Sequence, residues 1–159
     1  MEPPSTESST ILNDTGRSIC SAPLAYAMSV AFAQHGKPAA KACLLLTSEE
    51  RVRDLNRQYR GIDESTDVLT FPAGEFSDGQ LGDVAIAVPS AERQATVRNV
   101  TLDQELGFLA IHGALHLIGL DDETEPERAE MVRQMNLAAS ASGFQPDEEW
   151  ASLLHGDHS

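Results

Sequence analysis

Residues 101–122 read TLDQELGFLAIHGALHLIGLDD. Thr101 with Gln104 makes a capping-box signature that opens an apolar helix running to about Ile118, and Gly119 is its expected stop. His112 and His116 lie four apart, so they project from one face of that helix and can reach a single ion. Gly119 can take the left-handed conformation that ends a helix, turning the chain so that Asp122 swings back toward the two imidazoles. The pattern H-x-x-x-H-x-x-G-x-x-D therefore marks His112, His116 and Asp122 as metal ligands. A bare histidine pair on a helix is more often a core or surface feature; Gly119 and Asp122 at these offsets favour a metal site. Three protein ligands leave a fourth position for water, the arrangement of catalytic rather than structural zinc, and the ion lowers that water's pKa toward ~7. The spacing is close to the metzincin motif, where a glutamate base follows the first histidine. Here that position is Gly113, so a standard metallopeptidase lacks its base.

Outward from this helix, the Ala-rich stretch from Ile19 to Gln34 carries Leu24, Met28 and Phe32 at helical spacing and stops at Gly36 and Pro38. The wholly apolar run Ala42 to Leu46 suits a strand covered on both faces. Thr47 with Glu50 reads as a capping box for a helix from about Ser48 to Tyr59. Residues 67–71 and 83–88 are strand-like and expected to pair as a hairpin through Gly74, Asp78 and Gly82. Ser90 starts a short helix, and Thr124, Pro126 and Glu127 signal a last one from about Glu125 to Ser142, ending at Gly143. Strands and helices do not alternate regularly, so the expected fold is α+β in a single domain, with a small mixed β-sheet of about four strands covered by about five helices. Residues 1–10 are expected to be a disordered tail, 11–145 the metallohydrolase domain and 146–159 a polar C-terminal tail.

Apolar residues make up 41% of the 159-residue chain and charged residues 23%, near globular averages, and no apolar run approaches bilayer length. The polar, acidic start lacks the features of a secretory signal, so the expected location is cytoplasmic. Cys20 and Cys43 read as reduced, buried small apolar residues. The net charge of -14 argues against strong nonspecific RNA binding, because nucleic-acid binders normally carry a basic patch. Lys37, Lys41, Arg51, Arg53, Arg57 and Arg60 nevertheless cluster, so a local basic surface is compatible with that total.

The run from His112 to Asp121 resembles the signature of the YbeY family of bacterial metal-dependent single-strand endoribonucleases, needed for rRNA maturation. Leu55 to Asp63, then Ser65 to Pro72, is similar to that family's other characteristic stretch, and Leu81 to Ile86 continues the match. The resemblance covers roughly residues 40 to 135. It implies an α+β fold with a small mixed sheet, one zinc ion per chain, and Arg60 as a catalytic residue near the metal, where a guanidinium fork can engage phosphate oxygens. It also implies work on rRNA and the small ribosomal subunit, with contacts to small-subunit proteins and an assembly GTPase, and no membrane. Without the resemblance, Arg60 reads as a solvated arginine at a helix end. Asp67 and Asp83 also match the family pattern, though carboxylates at strand starts are often turn groups.

The third ligand in the family is usually histidine. With Asp122 in its place the formal site charge falls from +2 to +1, which raises the bound water's pKa and makes Mn2+ or Fe2+ more competitive with Zn2+. Asp121 is the neighbouring alternative ligand, and His155 and His158 are adventitious ones. Glu105, one heptad before His112, reads as an exposed helix glutamate or as a group that orients a ligand; no general base is secure. Three functions stay open: RNA hydrolysis by a metal-bound hydroxide, hydrolysis of another ester or amide, and a ribosome-assembly binding factor with a structural or weakened metal site.

Overall fold

Period-two alternation in Lys41–Thr47 (β2) puts Ala42, Leu44 and Leu46 on one face, fully buried, and Lys41, Cys43 and Leu45 on the other, half-buried. Only the first face is closed, where the sequence suggested both. The computed structural model describes residues 9–73 and 79–150. The remaining elements in chain order are β1 (Thr10–Asn13, before β2), α1 (Ala22–Gln34, also before β2), α2 (Glu49–Arg60), β3 (Val68–Pro72), β4 (Gln80–Ala87), α3 (Val88–Arg98), α4 (Leu102–Leu117) and α5 (Glu125–Ser142).

The four strands form one mixed sheet in the order β1-β2-β4-β3. β1, β2 and β4 run parallel, and β3 pairs antiparallel with β4 from Val68 opposite Ile86 to Pro72 opposite Gly82. The α+β architecture, the mixed four-strand sheet with five helices and the β3–β4 hairpin are thus as expected; Gly74 and Asp78 of its connection lie outside the described residues. β1 was not foreseen, being four residues long with three of them exposed.

The core sits between the closed sheet face and α1, α4 and α5. Every residue from Glu105 to Leu115 is buried, so α4 is the central helix, covered on all sides as an all-apolar helix must be. A smaller cluster of Val52, Leu69, Ala85 and Ala87 seats α2 on the other face.

Three helix starts differ from expectation. Thr47 is buried in β2 opposite Ala87, so Ser48 caps α2 instead, its hydroxyl accepting from the Arg51 amide at 3.1 Å. α3 begins at Val88 rather than Ser90, with Pro89 in its first turn. Thr101 caps α4, but Gln104 does not complete the box; its side-chain amide donates to the Gln145 carbonyl at 2.7 Å and accepts from the Gln145 amide. The Thr124–Glu127 box of α5 is complete.

Packed structure extends beyond 11–145 at both ends. The Ser9 hydroxyl accepts from the Ala42 amide at 3.0 Å, and Trp150 is 3% exposed, stacked on Phe108. A large apolar indole gains more by burial than a polar segment loses by ordering. Both cysteines are free, but Cys20 is exposed and Cys43 half-buried, because Cys20 lies before α1 and outside its buried face.

Candidate metal centre

α4 brings Nε2 of His112 and Nε2 of His116 to 3.1 Å from each other. The helix ends at Leu117, Gly119 takes φ 104°, and the Leu120 amide closes back on the Leu115 carbonyl at 3.0 Å. The following loop is short because α5 starts at once with its capping box. Arg128 ties it down, donating to the carbonyls of Glu123 at 2.8 Å and Asp122 at 3.4 Å. Asp122 Oδ2 thereby stands 3.5 Å from His112 Nε2 and 3.4 Å from His116 Nε2. Donor atoms about 2.0–2.1 Å from a tetrahedral ion are roughly 3.3 Å apart, so all three separations fit one ion. Two imidazole nitrogens and a carboxylate oxygen are also an accepted catalytic donor set. Asp121 is exposed and outside this group, and His155 and His158 lie outside the described residues.

Gly113 has a steric reason. A Cβ there would meet Val84 Cγ1 at 2.6 Å and Cγ2 at 3.0 Å, and Val84 is a stiff β-branched residue buried on β4. α4 lies so close to the sheet that no glutamate fits at the position where a metzincin keeps its base. Gly113→Ala is expected to cost about 1–3 kcal/mol by overpacking, read by urea denaturation.

Glu105 is not the exposed glutamate the spacing favoured. It is 1% exposed and accepts from Trp150 Nε1 at 3.1 Å. Arg98 Nε stands 3.2 Å from Oε1 without hydrogen-bond alignment, and its guanidinium carbon lies 5.0 Å from the Trp150 ring centre. Trp150 in turn packs 5.3 Å from the His112 ring, centre to centre. Glu105 is thus linked to His112 through Trp150, and Arg98 and Trp150 are the neighbours that sequence reasoning missed. The usable signal was a lone tryptophan in a polar tail, a residue rarely left in water.

Burial pushes the Glu105 carboxyl up to about 7, outweighing the opposing Arg98 charge and Trp150 hydrogen bond. The folded state therefore holds its proton more tightly than the unfolded chain. The resulting penalty is absent below about pH 4.5, grows as pH rises, and is complete above about 7, amounting to roughly 3 kcal/mol. Wild-type stability is expected to fall relative to Glu105→Gln by up to that amount between pH 5 and 8, measured by urea denaturation across the range.

The family profile described as Endoribonuclease YbeY matches residues 19–142. The chain belongs to the YbeY family. Endoribonuclease YbeY of Acholeplasma laidlawii is 44% identical over 88 residues, covering 55% of this chain and 64% of that protein. Endoribonuclease YbeY of Bacillus cereus (strain G9842) is 38% identical over 116 residues, covering 66% and 74%. The solution structure of TM1509 from Thermotoga maritima aligns with a TM-score of 0.59 at 28% identity, over 84% of this chain and 89% of that one.

Within this YbeY fold Asp67 and Asp83 are outside the three-donor group. Arg60 ends α2, donates from Nη2 to the Thr70 carbonyl at 2.6 Å on edge strand β3, and lies 5.8 Å from the Phe71 ring centre. Asp67 is fully buried, accepting from Gln94 at 3.0 Å and from Thr66. Asp83 is exposed opposite Phe71, in register with Cys43 on the open face. Two of the six residues of the anticipated basic surface are paired with acids: Arg53 donates to both oxygens of Asp63 at 2.7 and 3.2 Å, and Arg57 to Asp54 at 2.8 Å. Among the described residues no helix is long and apolar enough to cross a membrane.

Proposed function

We propose that this chain is a cytoplasmic endoribonuclease that cuts single-stranded RNA in rRNA maturation and small-subunit quality control, with one divalent ion, zinc first, held by His112, His116 and Asp122. The single observation that carries this reading is the three-donor cluster at ion-binding separations on the helix that bears the family signature. When bound, the ion supplies Lewis acidity toward the attacking water and the scissile phosphate. The two imidazoles donate as neutral ligands. Asp122 contributes an anion that lowers the site's charge, favouring Mn2+ or Fe2+ more than three histidines would. Arg60, held by the Thr70 carbonyl, keeps further N–H donors for a phosphate oxygen and is the proposed catalytic cation. Gly113 leaves the peptidase alternative without its base.

The test is elemental mass spectrometry on untagged, chelator-free protein together with cleavage of single- and double-stranded RNA. About one metal per chain and metal-dependent cutting of single strands are expected; no metal uptake, or no RNA cleavage by loaded protein, refutes the reading. A second role as a ribosome-assembly binding factor is favoured by the charge of -14 and the pairing of Arg53 and Arg57 with acids, since an acidic surface complements basic small-subunit proteins. Contacts to those proteins and to an assembly GTPase belong to that reading, which pull-down by catalytically dead protein tests.

A further inference from the structure

On the sheet face opposite the metal centre, α2 leaves part of β2 and β4 uncovered. A cleft of about 320 Å³ opens there, walled by Leu12, Leu45, Leu55, Tyr59 and Phe71, with Asp83 as its acidic group. Tyr59 is 63% exposed, yet its ring is held edge-on to Phe71 at 5.5 Å and 62°. The Arg60 guanidinium covers the same Phe71 ring and is pinned by the Thr70 carbonyl. An exposed but positioned aromatic ring, an apolar slot beside it and an adjacent guanidinium are the parts of a stacking platform for an unpaired base with its phosphate. The metal centre is at the same end of the sheet, since Leu117, next to His116, packs over Gly82, and Gly82 and Asp83 face Pro72 and Phe71 across the hairpin.

We infer that this cleft is a nucleobase subsite: one unpaired base of an RNA strand stacks on Tyr59 inside it while Arg60 holds a neighbouring phosphate. The inference rests on the ribonuclease reading and deepens it. Charge favours this source of affinity. With the chain at -14, and Arg53 and Arg57 paired with Asp63 and Asp54, phosphate contacts along the backbone are weakened, so base contacts add affinity that charge alone does not supply. Asp83 at the wall accepts hydrogen bonds and selects a base that presents an amino group, such as cytosine, over uracil.

The experiment compares metal-loaded wild type, Tyr59→Ala and Tyr59→Phe on a short single-stranded RNA and on the same strand with one abasic position scanned along it. Wild type is expected to lose roughly 5- to 150-fold in kcat/KM, mostly through KM, when the stacked base is removed. Tyr59→Ala should abolish that discrimination and Tyr59→Phe should keep it. The salt dependence of KM should be shallow, with KM rising at a log–log slope of about +0.7 to +1.4 for one or two phosphates. Discrimination surviving in Tyr59→Ala, absent in wild type, or replaced by a steep salt slope overturns the subsite. So does a shift in oligomeric state on Tyr59→Ala with discrimination intact, which would mean that the face docks a second copy. Wild type that cuts no RNA at all instead refutes the ribonuclease reading.

Discussion

His116→Ala is expected to reduce metal content from about one ion per chain to background and to weaken binding by more than the 10- to 100-fold typical of losing an outer-sphere partner. His116 Nε2 lies 3.1 and 3.4 Å from the other two donors, so removing it opens one corner of the triangle and leaves two ligands. Metal that binds the folded but not the unfolded chain adds stability by mass action, about 4 kcal/mol at a thousandfold excess over Kd. Added zinc should therefore raise the melting temperature of wild type and leave that of His116→Ala unmoved. Asp122→Ala should behave similarly, and Asp121→Ala should retain its metal, because Asp121 is exposed and outside the group. A zinc-dependent rise in His116→Ala equal to wild type would remove His116 from the ligand set.

The second large effect is structural. Gly82→Ala is expected to cost more than 4 kcal/mol or to prevent folding, monitored by circular dichroism and denaturation. Gly82 has φ +143°, and a Cβ there would run into the Phe71 carbonyl oxygen and reach 3.0 Å from both the Ala73 amide and a Leu117 methyl. Backbone on a paired strand cannot swing aside as a side-chain tip can, so the hairpin must open or α4 must lift. Gly61→Ala is the internal control. It also has positive φ, 71°, but no atom lies within 4 Å of its Cβ position, so only about 1–2 kcal/mol of backbone strain is expected. Equal costs at the two positions would show that backbone conformation, not collision, sets the penalty at Gly82.

What was legible in the sequence is what depends on neighbours along the chain. The helix through His116, the turn at Gly119 and the placement of Asp122 follow from local spacing, and they reappear as a triangle of donors 3.1 to 3.5 Å apart. The hairpin followed from two strand-like runs. What was not legible depends on distant partners. β1 is too short and exposed to show a pattern alone; it exists because β2 offers a parallel edge. Glu105 looked exposed by residue type, although a glutamate among Leu106, Phe108 and Leu109 on a helix with no polar face had nowhere to be but inside. The pairing of Arg57 with Asp54 was readable at three-residue spacing, whereas that of Arg53 with Asp63 needed the loop after α2 to fold back.

Trp150 is the chain's sole tryptophan, and it is seated against His112 with its N–H on Glu105. All indole emission from the native protein therefore originates beside the candidate metal site. The molecule carries its own unlabelled optical probe there, one that senses ligand-ring chemistry directly and would be quenched by a paramagnetic ion such as manganese. Occupancy, metal exchange and release of the C-terminal segment can each be followed in real time on the unmodified protein.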